Sequence, residues 1–456
     1  MSGLSLILET ARRALMSQQV GINVTSHNIA NASTLGYSRQ RVNFSPTPAL
    51  WERYGYLGTG VQAASVGRLR DSYLDGQVRD SNGAMNSATT QQEVLSQVEA
   101  SFNEPSEAGL STMMSKFFNS WQDLSTHPED SSSRNGVIQQ GALLAQSFQR
   151  LHTEMTQVHD SLNGDMSVKV ANINQLTSEI SDLNNRITSA AAGGGEPSDL
   201  EDQRDLKIDE LSKLANISVA IDSSGAAMIS IGGITIASRG AAIALAAQQV
   251  GGQMQIVTAK DNIQVNVTGG AVGGDLKLFN TTLPGYLSRL DELTGALINR
   301  VNTLHSSGFG LGTPPSTGVN FFSGATAADI GVNSAVSADP SLVAASQDGA
   351  PGNNSIALAI ANAANDKILT GNTVTASQFY NGLASGVGSD INSVSGSASA
   401  QQLVLAQLEN QRTSVSGVSL DEEMTNLIQY QRAYDAAARL VNTANEMMQT
   451  VLTMVT

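Results

Sequence analysis

The sequence predicts a mainly α protein, a discontinuous helical bundle with coiled-coil-like terminal helices and a small inserted antiparallel β domain. Three observations carry that expectation. Apolar residues recur at alternating steps of four and three at both ends of the chain. The same helical period fills most of the interior. It yields to period two only near the centre, between residues 216 and 276.

The N-terminal seam is Leu4, Leu8, Ala11, Leu15, Gln18, Ile22, Thr25 and Ile29. The C-terminal seam is Leu420, Met424, Leu427, Gln431, Tyr434, Ala438, Val441, Asn445, Met448, Leu452 and Val455. A second apolar row, Ile428, Leu440, Met447, Val451 and Met454, makes the C-terminal stripe wider than one partner helix covers. Pairing of the two ends within a bundle accounts for one row only. With no Gly or Pro stop after the last seam residue, this helix is expected to be loosely ordered alone and ordered in an assembly that buries both rows.

Residues 31–71 carry Gly36, Pro46, Pro48, Gly55, Gly58 and Gly60 among Tyr37, Phe44, Trp51, Tyr54 and Tyr56, a pattern of extended loop or short hairpins. Helix returns over 94–102. It strengthens at Leu110, Met113, Met114, Phe117, Phe118, Trp121 and Leu124, and His127-Pro128 ends it. A long helix is expected over 134–159, then a seam at Leu162, Met166, Lys169, Ile173, Leu176, Ile180, Leu183 and Ile187. After Gly193-Gly194-Gly195, Ser198 and Glu201 have the spacing of a capping box for a helix ending near Leu214.

Alternation then predicts strands around Ile217, Val219 and Ile221, around Ile229 and Ile231, and, after a Gly232-Gly233 turn, around Ile234 and Ile236. A second hairpin is expected from Met254 and Ile256, through Asp261-Asn262, to Ile263, Val265 and Val267. Leu287, Leu290, Leu293, Leu297, Val301 and Leu304 restore the helical period. Weak helices follow over 355–369, 376–386 and 398–414. The expected organisation is nested: 1–70 plus 412–456 as the terminal-helix domain, 71–215 plus 277–411 as the bundle, and 216–276 as an outward β domain.

Composition limits the function. Lys and Arg number 25 against 40 Asp and Glu, a formal charge of −15, which argues against nucleic acid or an anionic membrane as the main partner. Charged residues are 14 %, against ~25 % in an average soluble domain. Such a Ser-, Thr-, Asn-, Gln- and Ala-rich surface suits flanks that pack against copies of the same chain. Without cysteine there is no disulfide, thiolate nucleophile or Cys-ligated metal. The first residues lack the basic region of a Sec signal, and no apolar run approaches the ~18 residues of a membrane span, so no membrane insertion is expected.

Catalytic spacings are missing as well. There is no His-Glu-x-x-His; His152 and His159 are seven apart, too far for a compact ligand pair, and are expected at the surface. Gly308-Phe309-Gly310-Leu311-Gly312 reads as a loop, not a dinucleotide turn. Glu104 with Glu107, and Asp421, Glu422 and Glu423, are the acidic groups that glycoside hydrolysis would need, but the latter three open a helix, where carboxylates favour the macrodipole. No catalytic residue, metal site or cofactor is expected.

One stretch carries a recognisable signature. Asn28-Ile-Ala30-Asn31, followed by Gly36-Tyr37-Ser-Arg39-Gln40, resembles the motif after the N-terminal helix of bacterial flagellar axial proteins, the family of rod, hook and hook-associated subunits, with Leu35 where the family usually has Pro. Gly417-Val-Ser-Leu420-Asp-Glu-Glu423 and Tyr430-Gln-Arg432-Ala-Tyr434 are similar to the family's C-terminal region. Asp202-Gln203-Arg204-Asp205, Val301-Asn302 with His305 and Gly308, and Asn320-Phe321-Phe322 resemble the hook-associated branch.

The resemblance implies a structural subunit between hook and filament, exported through the flagellar type III channel without a cleaved signal. It implies terminal helices stacked into an inner tube, the bundle as the next shell and the β domain outside. Implied partners are further copies of the chain, the hook protein, a second junction protein and a cytoplasmic export chaperone covering the C-terminal helix. A hook or distal-rod subunit is the alternative within the family, and an axial scaffold carrying a wall hydrolase is the alternative of another class. Asn28, Asn31 and Thr34 are expected either to order the turn at Gly36 or to contact a neighbouring subunit. Arg204, between Asp202 and Asp205, is expected to form an ion pair within the bundle in preference to a contact with the next subunit.

Overall fold

The computed structural model describes every residue except Met1, Tyr54, Asn103, Pro105 and Thr456, and leaves out the side chains of Ser2, Glu52 and Val455, so the expectations on Tyr54 and on the Val455 side chain lie outside the described residues. The chain begins with α1 (Ser2–Ala30) and then forms a ribbon of β1 (Gln40–Pro46), β2 (Leu50–Glu52), β3 (Gly55–Leu57) and β4 (Val61–Arg68). β1 pairs antiparallel with β4, and β2 with β3. This ribbon lies along α1, where Ser17 Oγ donates to the Val61 carbonyl at 3.1 Å.

The bundle follows: α2 (Ser72–Phe102), α3 (Leu110–Thr126), α4 (Ser131–Ala192) and α5 (Ser198–Leu214). Two small antiparallel sheets come next. One has the order β5 (Ser218–Ile221), β6 (Ala227–Ile231), β7 (Ile234–Ser238), β8 (Ala241–Ala242); the other runs β11 (Gln264–Val265), β10 (Gln253–Thr258), β9 (Leu245–Val250). The chain returns through α6 (Gly270–Lys277) and a π turn into α7 (Leu283–Ser306). It then crosses a loop region holding β12 (Phe322–Ser323), β13 (Gly331–Val332), α8 (Ser334–Ala338), α9 (Ser355–Asn362), β14 (Lys367–Leu369) and β15 (Val374–Thr375). It closes with α10 (Ala376–Ser416) and α11 (Leu420–Val455).

Two apolar cores result. The larger gathers Phe117, Trp121, Phe148, Phe321, Phe322 and Tyr380 between α3, α4, α7 and α10, and burial of each aromatic contributes about 1.5–3 kcal/mol. The smaller lies between Ile173 and Ile180 of α4, Ile208 and Leu211 of α5, and Ile229, Ile236 and Ile256 of the sheets, so the β segment shares its core with two bundle helices. Neither core contains a described residue of α1, the β1–β4 ribbon or α11.

Several elements differ from expectation for physical reasons. The helices expected over 134–159 and 162–187 are one 62-residue α4. A solvent-facing Gly164 costs only about 1 kcal/mol in a helix interior, and buried Leu162 and Met166 flank it. Segments 376–386 and 398–414 are likewise one α10, opened by a capping box of Thr375 and Gln378. The box expected at Ser198 does not form: Pro197 is the cap residue, and Glu201 pairs with Arg68 at 2.8 Å instead.

In the β segment the partner of β10 is the Ala- and Gln-rich β9, whose apolar alternation is too weak to read, while the stretch after Asp261-Asn262 supplies only the two-residue β11. Residues 270–276, read with the strands, are helical in α6, where packing against α2 overrides the poor propensity of Gly273 and Gly274. His159, expected at the surface, is half-buried, stacked on Phe279 with centroids 3.9 Å apart.

Candidate functional site

The last turn of α1 starts the site. Asn31 Nδ2 donates to the His27 carbonyl at 3.1 Å and Thr34 Oγ1 to Asn31 Oδ1 at 3.1 Å, which orders the turn after the helix. Gly36 continues it with φ +80, in the left-handed region, facing the side chain of Leu206 on α5. The chain thereby folds Tyr37 back onto its own helix.

Asn28 is buried and fully used. Its Nδ2 donates to the Gln40 carbonyl and to Glu423 Oε2, both at 2.9 Å; its Oδ1 accepts from Gln40 N–H at 2.9 Å and from the Tyr37 hydroxyl at 2.7 Å. Since Tyr37 gives its one proton to Asn28, the 3.0 Å contact with His27 Nδ1 is a bond donated by the imidazole. Burial, with Asp199, Asp202 and Glu423 nearby, raises the Tyr37 pKa and keeps that proton in place. Glu423, only 2 % exposed, also accepts from Arg39 Nε at 2.8 Å, and Glu422 takes Arg39 Nη1 at 2.7 Å.

On the other side stands α5. Asp202 Oδ2 accepts Ser38 N–H at 2.8 Å and Asp199 accepts Gln40 Nε2 at 3.0 Å. Arg68, at the end of β4, pairs with Glu201, Asp202 and Asp205 at 2.7–2.8 Å. Arg70 bridges Asp205 to Asp75, and Arg79 and Arg412 both reach Asp209. Burial alone would raise the Asp205 pKa, but Arg70, Arg68, Arg204 and Arg79 outweigh it and hold the carboxyl below its ordinary range.

Arg204 corrects the expected pairing. Its neighbours Asp202 and Asp205 lie three apart on one helix face, whereas Arg204 points away from that face, donating to the Gly225 carbonyl at 2.6 Å and to Asn184 at 3.2 Å. It ties α5 to α4 and to the β5–β6 turn. Gln203 is exposed beside a hollow of about 210 Å3 that it lines with Asn31, Leu35 and Gly36, and Ala30 is exposed at the end of α1.

The sequence reading missed Arg68, Arg70, Arg79 and Arg412, and treated Glu423 as a helix-dipole carboxylate. A signal was present: Asp202, Asp205 and Asp209 form an acidic stripe on one face of α5, with Lys213 the single basic residue at helical spacing beside three carboxylates. The remaining motif residues lie in the bundle. Asn302 exchanges two hydrogen bonds with the backbone of Phe322, and His305 bonds Val319 and Ala344 under Trp121.

The second feature is the terminal pair. Asn28 meets Glu423 and Gly21 lies against the Tyr430 ring, so α1 and α11 run antiparallel. A Cβ at residue 21 would stand 3.1 Å from that ring, a close approach that glycine permits. The packed row of α11 is Glu423, Tyr430, Ala437 and Ala444, small or polar residues seven apart that let the backbones approach. Leu4, Leu8, Leu15, Ile22 and Ile29 of α1 are half-buried, as are Leu427, Val441 and Met448 of α11. Leu420, Met424 and Leu452 stay 52 %, 50 % and 60 % exposed, with Tyr434, Ile428, Leu440, Met447 and Val451 also exposed. α11 is a continuous helix packed along this row.

Residues 95–322 match the family described as Flagellar hook-associated protein FlgK helical domain. Residues 8–37 match Flagella basal body rod protein, and 409–454 match Flagellar basal body rod FlgEFG protein C-terminal. The chain is 31 % identical over 494 residues to Flagellar hook-associated protein 1 of Bacillus subtilis (strain 168), covering 98 % of this chain and 97 % of that one. It is 24 % identical over 552 residues to Flagellar hook-associated protein 1 of Salmonella typhimurium, covering 98 % and 100 %. The solved structure of the flagellar hook junction protein FlgK from Burkholderia pseudomallei shares the fold, with a TM-score of 0.65 at 17 % identity over 75 % of this chain and 100 % of that one.

Paired terminal helices around a bundle, with rod-protein matches at both ends, define a protein of the flagellar axis. The chain belongs to the flagellar hook-associated protein 1 family. Among the described residues, no helix is long and apolar enough to cross a membrane.

Proposed function

We propose that this chain is a structural subunit, without enzymatic activity, that joins the flagellar hook to the filament. The observation that carries the reading is the exposed apolar surface of α11: Leu420 and Met424 of one row and Ile428, Leu440 and Met447 of the other are exposed on a helix already packed on α1 along Glu423, Tyr430, Ala437 and Ala444. Apolar area of this extent, rimmed by polar residues, marks an interaction surface. Copies of the chain cover it in an assembly, with the hook protein below and a second junction protein above. Before export by the flagellar type III route, a cytoplasmic chaperone shields the same surface.

Electron microscopy of flagella from a strain lacking the gene tests the reading. Hooks without filaments, with flagellin monomers in the medium, are the expected result. Loss of hooks would make the chain a hook or distal-rod subunit, and intact flagella would overturn the junction role. A clearing zone in a peptidoglycan zymogram of the purified protein would establish a wall hydrolase instead. Removal of residues 420–456 is expected to abolish chaperone binding; unchanged affinity would remove the chaperone from the scheme.

A further inference from the structure

Both small sheets of the β segment have an outer strand that is open on one side. In β5 the bond from Asp222 N–H to the Ala226 carbonyl fixes the phase of the ladder, so Ser218 and Ala220 turn their peptide groups to β6 while Val219 and Ile221 turn theirs outward. In β9 the bond from Ala259 N–H to the Ala244 carbonyl does the same, and Leu245, Ala247 and Gln249 face away from β10. The Asn174 amide takes both peptide groups of Leu245, imitating a neighbouring strand. Among the described residues, no hydrogen bond reaches the backbone of Val219, Ile221, Ala247 or Gln249.

Neither edge carries the usual protection. Ser218–Ile221 and Leu245–Val250 contain no charged residue and no proline, whereas the opposite edges, β8 and β11, are only two residues long. Space stands in front of β5: Ser218, Val219 and Ile221 line a groove of about 400 Å3 opposite Gly76 and Asp80 of α2. Ile221 is exposed, as are Gln248, Gln249 and Val250 at the far end of β9.

We propose that β5 of one copy of the chain adds to β9 of the next, edge to edge. The edges match: Val219 and Ile221 can each exchange a pair of backbone hydrogen bonds with Gln249 and Ala247. β8 runs against β5 and passes into β9 through residues 243–244 without a turn, so copies in one orientation bring β5 and β9 together antiparallel. Different edges of the two copies meet, so the contact is head-to-tail and repeats into a ring or helix. The inference rests on the reading that copies of the chain assemble side by side, and it names the surfaces they use.

In that register Ala220 faces Gln248 as a non-hydrogen-bonded pair with Cα atoms about 4.5 Å apart, within reach of a disulfide. The chain has no native cysteine, which makes the test direct. Flagella from cells carrying Ala220→Cys with Gln248→Cys are oxidised, and the chain is followed by immunoblot without reductant. The double variant is expected to give a ladder of multiples, and either single variant monomer alone. Adding Ile221→Pro, which removes an outward N–H and no bond within the sheet, should thin the ladder about tenfold. With no cysteine introduced, Ile221→Pro together with Gln249→Pro is expected to leave the chain folded by circular dichroism and to shed filaments. Monomer alone from the double-cysteine variant, dimer from a single variant, a cross-link to another flagellar protein, or filaments as stable as the parent's in the double-proline variant would overturn the proposal. Missing cross-links on flagella that bear filaments are a failure of this edge pairing, whereas the junction role is read separately by deleting the gene.

Discussion

Asn28 Nδ2 donates to Glu423 Oε2 at 2.9 Å across 395 positions of sequence. The bond closes the chain on itself at the point where α1 ends and α11 begins. Its acceptor sits in the first turn of α11, where a carboxylate also favours the helix dipole, and the same carboxylate takes the Arg39 guanidinium. One short side chain thus joins the first helix, the first strand and the last helix.

Replacing Asn28 by Ala removes all four of its bonds, leaving the Tyr37 hydroxyl with His27, Glu423 with Arg39, and the Gln40 peptide without its two Asn28 contacts. A loss of about 1–3 kcal/mol is expected. Hydrogen exchange along α11 should quicken while exchange in α3 and α4 keeps its rate.

Gly21→Val is expected to prise the terminal helices apart, because even a Cβ stands 3.1 Å from the Tyr430 ring. The expected cost is about 1–3 kcal/mol, as for overpacking elsewhere. Limited proteolysis reads it out: cleavage at Arg432 and Arg439 should accelerate in the variant.

The bundle should lose stability as pH falls. Burial pushes His305 down to about 4, and its Nε2 accepts the Ala344 N–H, which requires the neutral ring. A histidine depressed in the folded state contributes stability that is full above its unfolded value near 6.5 and is lost as pH drops toward 4. Over that window about 3 kcal/mol should go, seen as a falling Tm, and His305→Gln should flatten the slope.

The Asp205 carboxyl, held below its ordinary range by the surrounding arginines, works in a lower window. Its contribution is full above the unfolded carboxylate value and disappears as pH falls through the depressed one. Acid titration of Tm should therefore show stability lost as pH falls below the ordinary carboxylate value of ~4; Asp205→Asn should remove that step.

Met424→Asp and Leu440→Asp lie on the exposed apolar surface of α11 and should change the stability of the free chain by no more than about 0.5 kcal/mol. Their effect belongs to assembly. Sedimentation of concentrated protein should show the variants monomeric where the parent chain forms larger species, and cells carrying them should shed filaments.

Much of the fold is legible in the apolar period of the chain. The seam at Leu110 to Leu124 is α3, the seam at Leu162 to Ile187 is the second half of α4, and the Ile231-Gly232-Gly233-Ile234 turn joins β6 to β7. Periodicity reports which residues avoid water, so these elements announce themselves. β9 does not: with Ala and Gln in place of alternating apolar residues, it is a strand only because β10 and Asn174 of α4 offer partners for its backbone.

The candidate site is half legible. The motif names Asn28, Tyr37, Arg39, Asp202 and Asp205, but nothing in its spacing tells that Arg68 fills the gap between the last two, or that Glu423 closes onto Asn28. The helix-rich architecture, the two apolar rows of the terminal helix and the absence of cysteine chemistry follow from the order of the residues alone, because composition and period are properties of the chain. Which row of α11 faces α1, where Arg204 points and which arginines meet the acidic face of α5 are settled only in three dimensions. Those outcomes depend on directional contacts between segments hundreds of residues apart, and no local pattern encodes the partner of a hydrogen bond.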